Sequence, residues 1–179
     1  VSTRLVILGL LRKGPLHGYE IKRLIERSMG DWTSIAFGSI YFALAKLTEE
    51  GFIERVATEK RGRRPSRSVY AVTEAGRVEF LSLLKEVWAE PERHYFSLDL
   101  GLFFMRALSR EEILGYLARR TALTRTYLQH VEDHRAETMG DKRVPPIAGA
   151  IFDHTRAHLE AELAWIKTLT ARVKKGELP

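Results

Sequence analysis

Apolar residues fall at helical spacing at Ile40, Leu44 and Leu47, so residues 38–50 read as a helix with one buried stripe. Gly51 ends it, because glycine takes the left-handed conformation after a helix without a Cβ penalty. Two strand-like runs follow, 52–57 and 68–72, in which β-branched and aromatic residues such as Ile53, Val56, Val69 and Tyr70 are concentrated. Upstream, residues 5–11 are nearly all apolar and predict a buried first helix, broken at Gly14-Pro15. Residues 19–29 predict a second helix, with Tyr19, Ile21, Leu24, Ile25 and Met29 inward and Lys22, Arg23 and Glu26 outward. Residues 30–33 form a loop, and Ser34 is the expected N-cap of the third helix. Thr73 is the expected N-cap of a fourth, with Glu74 at the positive end of its dipole and Val78, Leu81, Leu84 and Trp88 as its apolar stripe. Pro91 closes it.

A second unit begins near Pro91. Residues 98–108 are dense in Leu102, Phe103, Phe104 and Met105 and predict a short helix. Ser109-Arg110-Glu111-Glu112 is a capping box that opens a long helix carrying Ile113, Leu117, Leu123, Tyr127, Leu128 and Val131. The loop 140–146 turns the chain, and Pro145-Pro146 precedes another long helix over 147–175, with Ile151, Leu159, Leu163, Ile166, Leu169 and Val173 apolar. Two such helices make an antiparallel hairpin. One hairpin cannot hide stripes on both faces, so a second copy of the chain is the expected cover. The predicted fold is mainly α with a small β-hairpin: a winged helix-turn-helix over 1–90 and a helical hairpin for dimerisation or effector binding over 91–179.

Charge sharpens this picture. The net charge is +6, and residues 58–67 alone carry five basic residues against Glu59. That +4 equals the whole excess of the first ninety residues, whereas the second half is near neutral. A helix, a strand, a basic loop and a strand follow one another as in a winged helix-turn-helix, whose helix reads a groove and whose loop is the wing. A positive tip beside balanced surfaces suits a phosphate-lined groove. Tyr19, Lys22 and Lys46 are then candidate phosphate contacts. Ser39, Tyr41 and Phe42 are candidates for base edges in the major groove. Lys60, Arg61, Arg63, Arg64 and Arg67 belong to the wing, with Arg61, Arg63 and Arg64 placed to enter a narrow minor groove. A two-fold dimer would set two recognition helices about 34–36 Å apart on a pseudo-palindromic site.

Composition excludes several alternatives. The chain has no cysteine, which removes disulfides, thiolate zinc sites and iron–sulfur clusters and makes a reducing cytoplasm the expected compartment. No apolar run approaches the roughly 20 residues that cross a bilayer, and the apolar start reads as a buried helix rather than a signal peptide. No activated nucleophile, phosphate-cradling glycine loop or carboxylate pair at catalytic spacing is present, so neither an enzyme nor a cofactor is expected.

Leu16-His17-Gly18-Tyr19-Glu20-Ile21, Gly38-Ser39-Ile40-Tyr41-Phe42-Ala43-Leu44, Glu50-Gly51-Phe52-Ile53, the Gly62-Arg63 tip, Tyr70 and Thr73-Glu74-Ala75-Gly76 occur in order at set distances. Over about the first 85 residues this resembles the PadR family of bacterial transcriptional regulators. The second half is similar, more loosely, to the helical dimerisation domain of its longer members. The resemblance implies a homodimeric winged-helix regulator of double-stranded DNA, a repressor or an activator, often responding to an aromatic or lipophilic small molecule. The chain departs from many relatives at Ala36-Phe37, where they carry Ser-Pro, and at Phe42, where they carry Pro.

Trp88 and Trp165 are the candidate stacking groups for a planar effector. His130 and His134 are four apart, as are His154 and His158, and folding the hairpin sets His134 level with His154 and His130 level with His158. Imidazoles so placed suit metal binding or a proton switch, against the plainer reading of amphipathic surface residues. Two rival functions follow: a winged-helix module for protein–protein contact, whose wing would not need five basic residues, and a metal- or pH-responsive regulator using these histidines.

Overall fold

The computed structural model describes residues 3–29, 33, 35–59, 67–91, 93 and 95–178. It divides into two compact units, Val1–Arg93 and His94–Pro179.

In the first unit, α1 (Thr3–Leu11) is followed by a two-residue strand β1 (Leu16–His17), α2 (Gly18–Met29), α3 (Phe37–Glu49), β2 (Ile53–Glu59), β3 (Arg67–Val72) and α4 (Glu74–Ala89). The sheet order is β1-β3-β2, antiparallel throughout, with Leu16 opposite Tyr70 and Ile53 opposite Val72. Arg55 and Ala57 face the neighbouring residues Tyr70 and Val69, so Val56 is the extra residue of a bulge. A bulge bends a strand and increases its twist. The stripe Ile40, Leu44 and Leu47 is buried as expected, against Ile7, Leu8 and Leu11 of α1, Ile21 and Ile25 of α2, and Ile53. Gly51 has φ 77°, the left-handed conformation that ends α3. Arg4 ties the unit together at its surface, bonding Glu50 just after α3 and Glu79 on α4.

Some expectations change here, and β1 is a strand that the residue pattern did not announce. The N-cap of α3 is Ala36, which makes no side-chain cap bond; Ser34 lies outside the described residues. The strand β1 has too few residues to show a period. The predicted stripe of α4 is largely turned outward: Val78, Leu81 and Trp88 are exposed, while Phe80 and Leu83 pack on the core. Gly76 causes this. It is buried against the Phe52 carbonyl, closer than any Cβ would allow, and so selects the face carrying Gly76, Phe80 and Leu83. Thr73 holds the same junction. Its hydroxyl donates to the carbonyls of Gly51 (2.7 Å) and Phe52 (3.1 Å) and accepts from the Gly76 N–H (3.1 Å).

The second unit contains α5 (Ser97–Phe103), a 3-10 turn (Met105–Ala107), α6 (Arg110–Gly140) and α7 (Ile147–Lys174). The single helix expected over 98–108 breaks at Phe104, whose φ −99° and ψ 11° lie outside the helical well. The tighter turn sets Leu102 and Met105 on the same core. The capping box is formed: Ser109 accepts from the Glu112 N–H, and the Glu112 carboxylate accepts from the Ser109 N–H (2.8 Å) and hydroxyl (2.7 Å). Those bonds hold the Glu112 carboxyl below the usual carboxylate range. α6 and α7 form the expected antiparallel hairpin. Arg120 bonds Glu162 (2.6 Å) and Arg135 bonds Asp153 (3.2 Å), which sets the register. Ile166, Leu169 and Val173 pack on Ile113 and Leu117 inside the hairpin, so that part of the α7 stripe is covered by its own chain rather than by a second copy. Tyr116, Leu123 and Phe103 remain exposed.

Candidate nucleic-acid interface

Helix α3 buries Ile40, Ala43, Leu44 and Leu47 and therefore turns Phe37, Tyr41, Phe42, Ala45, Lys46 and Glu49 outward. Phe42 is 73% exposed, so within the described chain it has no packing role. The Tyr41 ring is half-buried at its edge. It lies 5.5 Å from the Phe37 ring, and a Cβ on Gly18 would come within 3.4 Å of it. Gly18 thus lets the start of α2 approach α3 closely. Across that seam the Lys22 ammonium sits 3.8 Å from the centre of the Phe37 ring and 3.5 Å from Glu26. Tyr19 stacks on His17 at 5.5 Å. Tyr19, Lys22, Phe37 and Tyr41 are therefore drawn to the seam between α2 and α3, with Phe42 next to it on the α3 surface.

The polar chemistry of this face follows from its bonds. The Ser39 hydroxyl donates to the Ala36 carbonyl at 2.6 Å, which commits its proton and leaves its lone pairs for accepting. Lys46 pairs with Glu49 at 3.0 Å, which tempers its charge for a phosphate. Lys60, Arg61, Arg63 and Arg64 lie outside the described residues, and Arg67 opens β3. Phe37 stands out in the sequence only as a departure from relatives, not as a site residue. Its signal is the Phe37–Tyr41 pair, four residues apart at the start of a helix.

Trp88 is 82% exposed on α4, and Trp165 is exposed on α7. They belong to different units. Within the second unit a groove of about 470 Å³ runs between α6 and α7, lined by Thr121, Arg125, Leu163, Lys167 and Lys174 among others. Three of its lining residues, Arg125, Lys167 and Lys174, are cationic. The four histidines are not gathered into one site. Among the described residues no three His, Cys, Asp or Glu are disposed to hold a metal ion. His134 packs edge-on to Phe152 (5.2 Å), whereas His154 and His158 turn to each other. Each pair shares a helix face, but Phe152 takes the place opposite His134. No helix among the described residues is long and apolar enough to cross a membrane.

A buried three-helix core, a three-stranded sheet with a hairpin wing, and a helix that turns aromatic and polar side chains outward define a winged helix-turn-helix transcriptional regulator. The model of the transcriptional regulator PadR-like family matches residues 7–82. Along nearly its whole length the chain is similar to the negative transcriptional regulator PadR of Bacillus subtilis (strain 168), 29% identical over 176 residues, 94% of this chain and 96% of the relative. Its fold matches B. subtilis PadR in complex with operator DNA, with a TM-score of 0.78, 26% identity, and coverage of 95% and 98% of the two chains. It matches B. subtilis PadR in complex with p-coumaric acid equally, with a TM-score of 0.78, 25% identity, and coverage of 96% and 98%. The chain belongs to the PadR-like family of transcriptional regulators.

Proposed function

We propose that the chain is a ligand-responsive repressor that binds a pseudo-palindromic operator as a homodimer in the cytoplasm. The observation that carries this reading is the outward face of α3, where Tyr41 and Phe42 are exposed and Lys22 of α2 sits over the Phe37 ring. The B. subtilis relative has been seen on operator DNA and with p-coumaric acid. In this chain Tyr19, Lys22 and Lys46 contact phosphates, Ser39, Tyr41 and Phe42 read bases, and the wing residues Lys60, Arg61, Arg63, Arg64 and Arg67 hold the flanking groove. The exposed Val78, Leu81 and Trp88 of α4 and Phe103, Tyr116 and Leu123 of the second unit supply apolar surface for a second copy.

Replacing Arg61, Arg63 and Arg64 together with Ala tests the DNA-binding reading. Binding to every duplex should weaken, and the slope of log affinity against log salt should fall by about 2–3, since each lost phosphate contact removes about 0.9. Unchanged affinity and slope would show that the wing tip does not meet DNA and would favour a protein-binding module.

The effector has its own test. The relative was seen with p-coumaric acid, an aromatic acid; in the second unit Trp165 offers a ring face and Arg125 and Lys167 of the α6–α7 groove offer cations, and Trp88 of the first unit is a separate candidate. Titration with p-coumaric acid should quench tryptophan fluorescence and release operator DNA. Trp88→Phe or Trp165→Phe should abolish the part of the quench that its indole reports. Quenching that persists unchanged in the double variant would remove both residues from the effector site.

A further inference from the structure

We propose that His154 and His158 on α7 form a two-point chelate for a divalent transition metal ion, independent of His130 and His134. The two Nε2 atoms face each other 3.2 Å apart, and the rings stand nearly perpendicular, 82° apart with centres at 4.6 Å. Metal–imidazole bonds of about 2.0–2.1 Å, meeting at about 90–110°, separate two nitrogens by about 2.8–3.4 Å. The observed separation falls inside that span, so one ion can take both nitrogens with small ring rotations. The spacing is that of adjacent turns on one helix face, as in helical zinc motifs whose two histidines are four apart.

The surroundings allow it. Both imidazoles are exposed, so water can fill the remaining coordination positions and the ion needs no buried entry path. On α6 the His130 and His134 rings lie 6.2 Å apart, against 4.6 Å for His154 and His158, and His134 packs edge-on to Phe152. In the absence of metal, one neutral imidazole donates to the other. The ion replaces that hydrogen bond and clasps one turn of α7. Imidazole ligands suit copper, nickel and zinc, and Cu(II) should bind more tightly than Ni(II) or Zn(II). Protons compete for the same lone pairs, so binding should weaken as pH falls.

The test uses the full chain at about pH 7.5 in a buffer without chelating groups, titrated calorimetrically with Cu(II) alone and then Zn(II) alone. The expected result is one ion per chain and an upward shift in melting temperature on loading. His154→Asn and His158→Asn should each weaken binding about tenfold or more, as loss of a metal ligand does, while His130→Asn should not. A readout that needs no variant is proton NMR, in which Cu(II) should broaden the imidazole signals of His154 and His158 before those of His130 and His134. The proposal is overturned if the parent binds neither ion at about 0.1 mM, far above the micromolar scale expected for a chelate. It is equally overturned if binding survives both single variants, or if His130→Asn abolishes it, which would place the ligands on both helices.

Discussion

Gly76→Ala should unfold or severely loosen the N-terminal unit. A Cβ there would stand 2.0 Å from the Phe52 carbonyl oxygen and 2.8 Å from Val72 Cγ2. The obstructing atom is backbone, held by hydrogen bonds from the Thr73 N–H and hydroxyl, both 3.1 Å, so it has no rotamer through which to yield. Relief requires α4 to lift away, which breaks those bonds and withdraws Phe80 and Leu83 from the core. Overpacking typically costs 1–3 kcal/mol when side chains can adjust, and a backbone obstruction belongs at or above the upper end, about 3 kcal/mol or more. In a domain of this size that lowers the melting temperature by on the order of 10–20 °C. Gly38→Ala is the control. Nothing lies within 4 Å of a Cβ there, so alanine should be neutral to mildly stabilising through its better helix propensity. If Gly76→Ala melts within about 2 °C of the parent, a shift smaller than 1 kcal/mol produces, the close approach of α4 to Phe52 is not what holds this junction.

That glycine also marks the limit of what the residue pattern reveals. The stripe of α3 is legible because Ile40, Leu44 and Leu47 admit one inward face and Gly51 ends the helix in the only conformation that suits it. α4 is different. Val78, Leu81, Leu84 and Trp88 satisfy a helical period as well as Phe80 and Leu83 do, and the choice between them is made by a tertiary contact that leaves no periodic signal. The more hydrophobic-looking face is the exposed one. The capping box at Ser109 was readable because it is local, four residues closing on themselves. The break at Phe104 was not, because it depends on Leu102 and Met105 meeting Ile113 and Leu117 from distant turns. The same holds for the histidines: i, i+4 spacing shows which two share a face, but only the packing of His134 on Phe152 separates one pair from the other. In the candidate interface, Ser39, Tyr41 and Phe42 were visible as the face left over once the stripe is subtracted. The seam joining Lys22 to Phe37 needed the close approach at Gly18.

Phe42→Ala should separate base reading from positioning. The residue is exposed and uncharged, so its removal creates no cavity in the N-terminal unit and releases no counterions. Stability should stay within about 2 °C of the parent, well below the shift from a core truncation. If the ring meets a thymine methyl or stacks along a base edge, specific binding should fall by about 1–3 kcal/mol, a factor of about 5–150, as loss of one base contact does. Non-specific binding and its salt slope should be unchanged, because the wing, Lys22 and Lys46 remain. Ser39→Ala makes the companion measurement. Its hydroxyl already donates to the Ala36 carbonyl, so the variant loses an acceptor, and its effect should appear only on duplexes that place an amino group opposite it. Parallel losses on specific and random duplexes would mean that Phe42 shapes the docking surface rather than reading it. No loss on either would leave Tyr41 and Ser39 to carry the discrimination on α3.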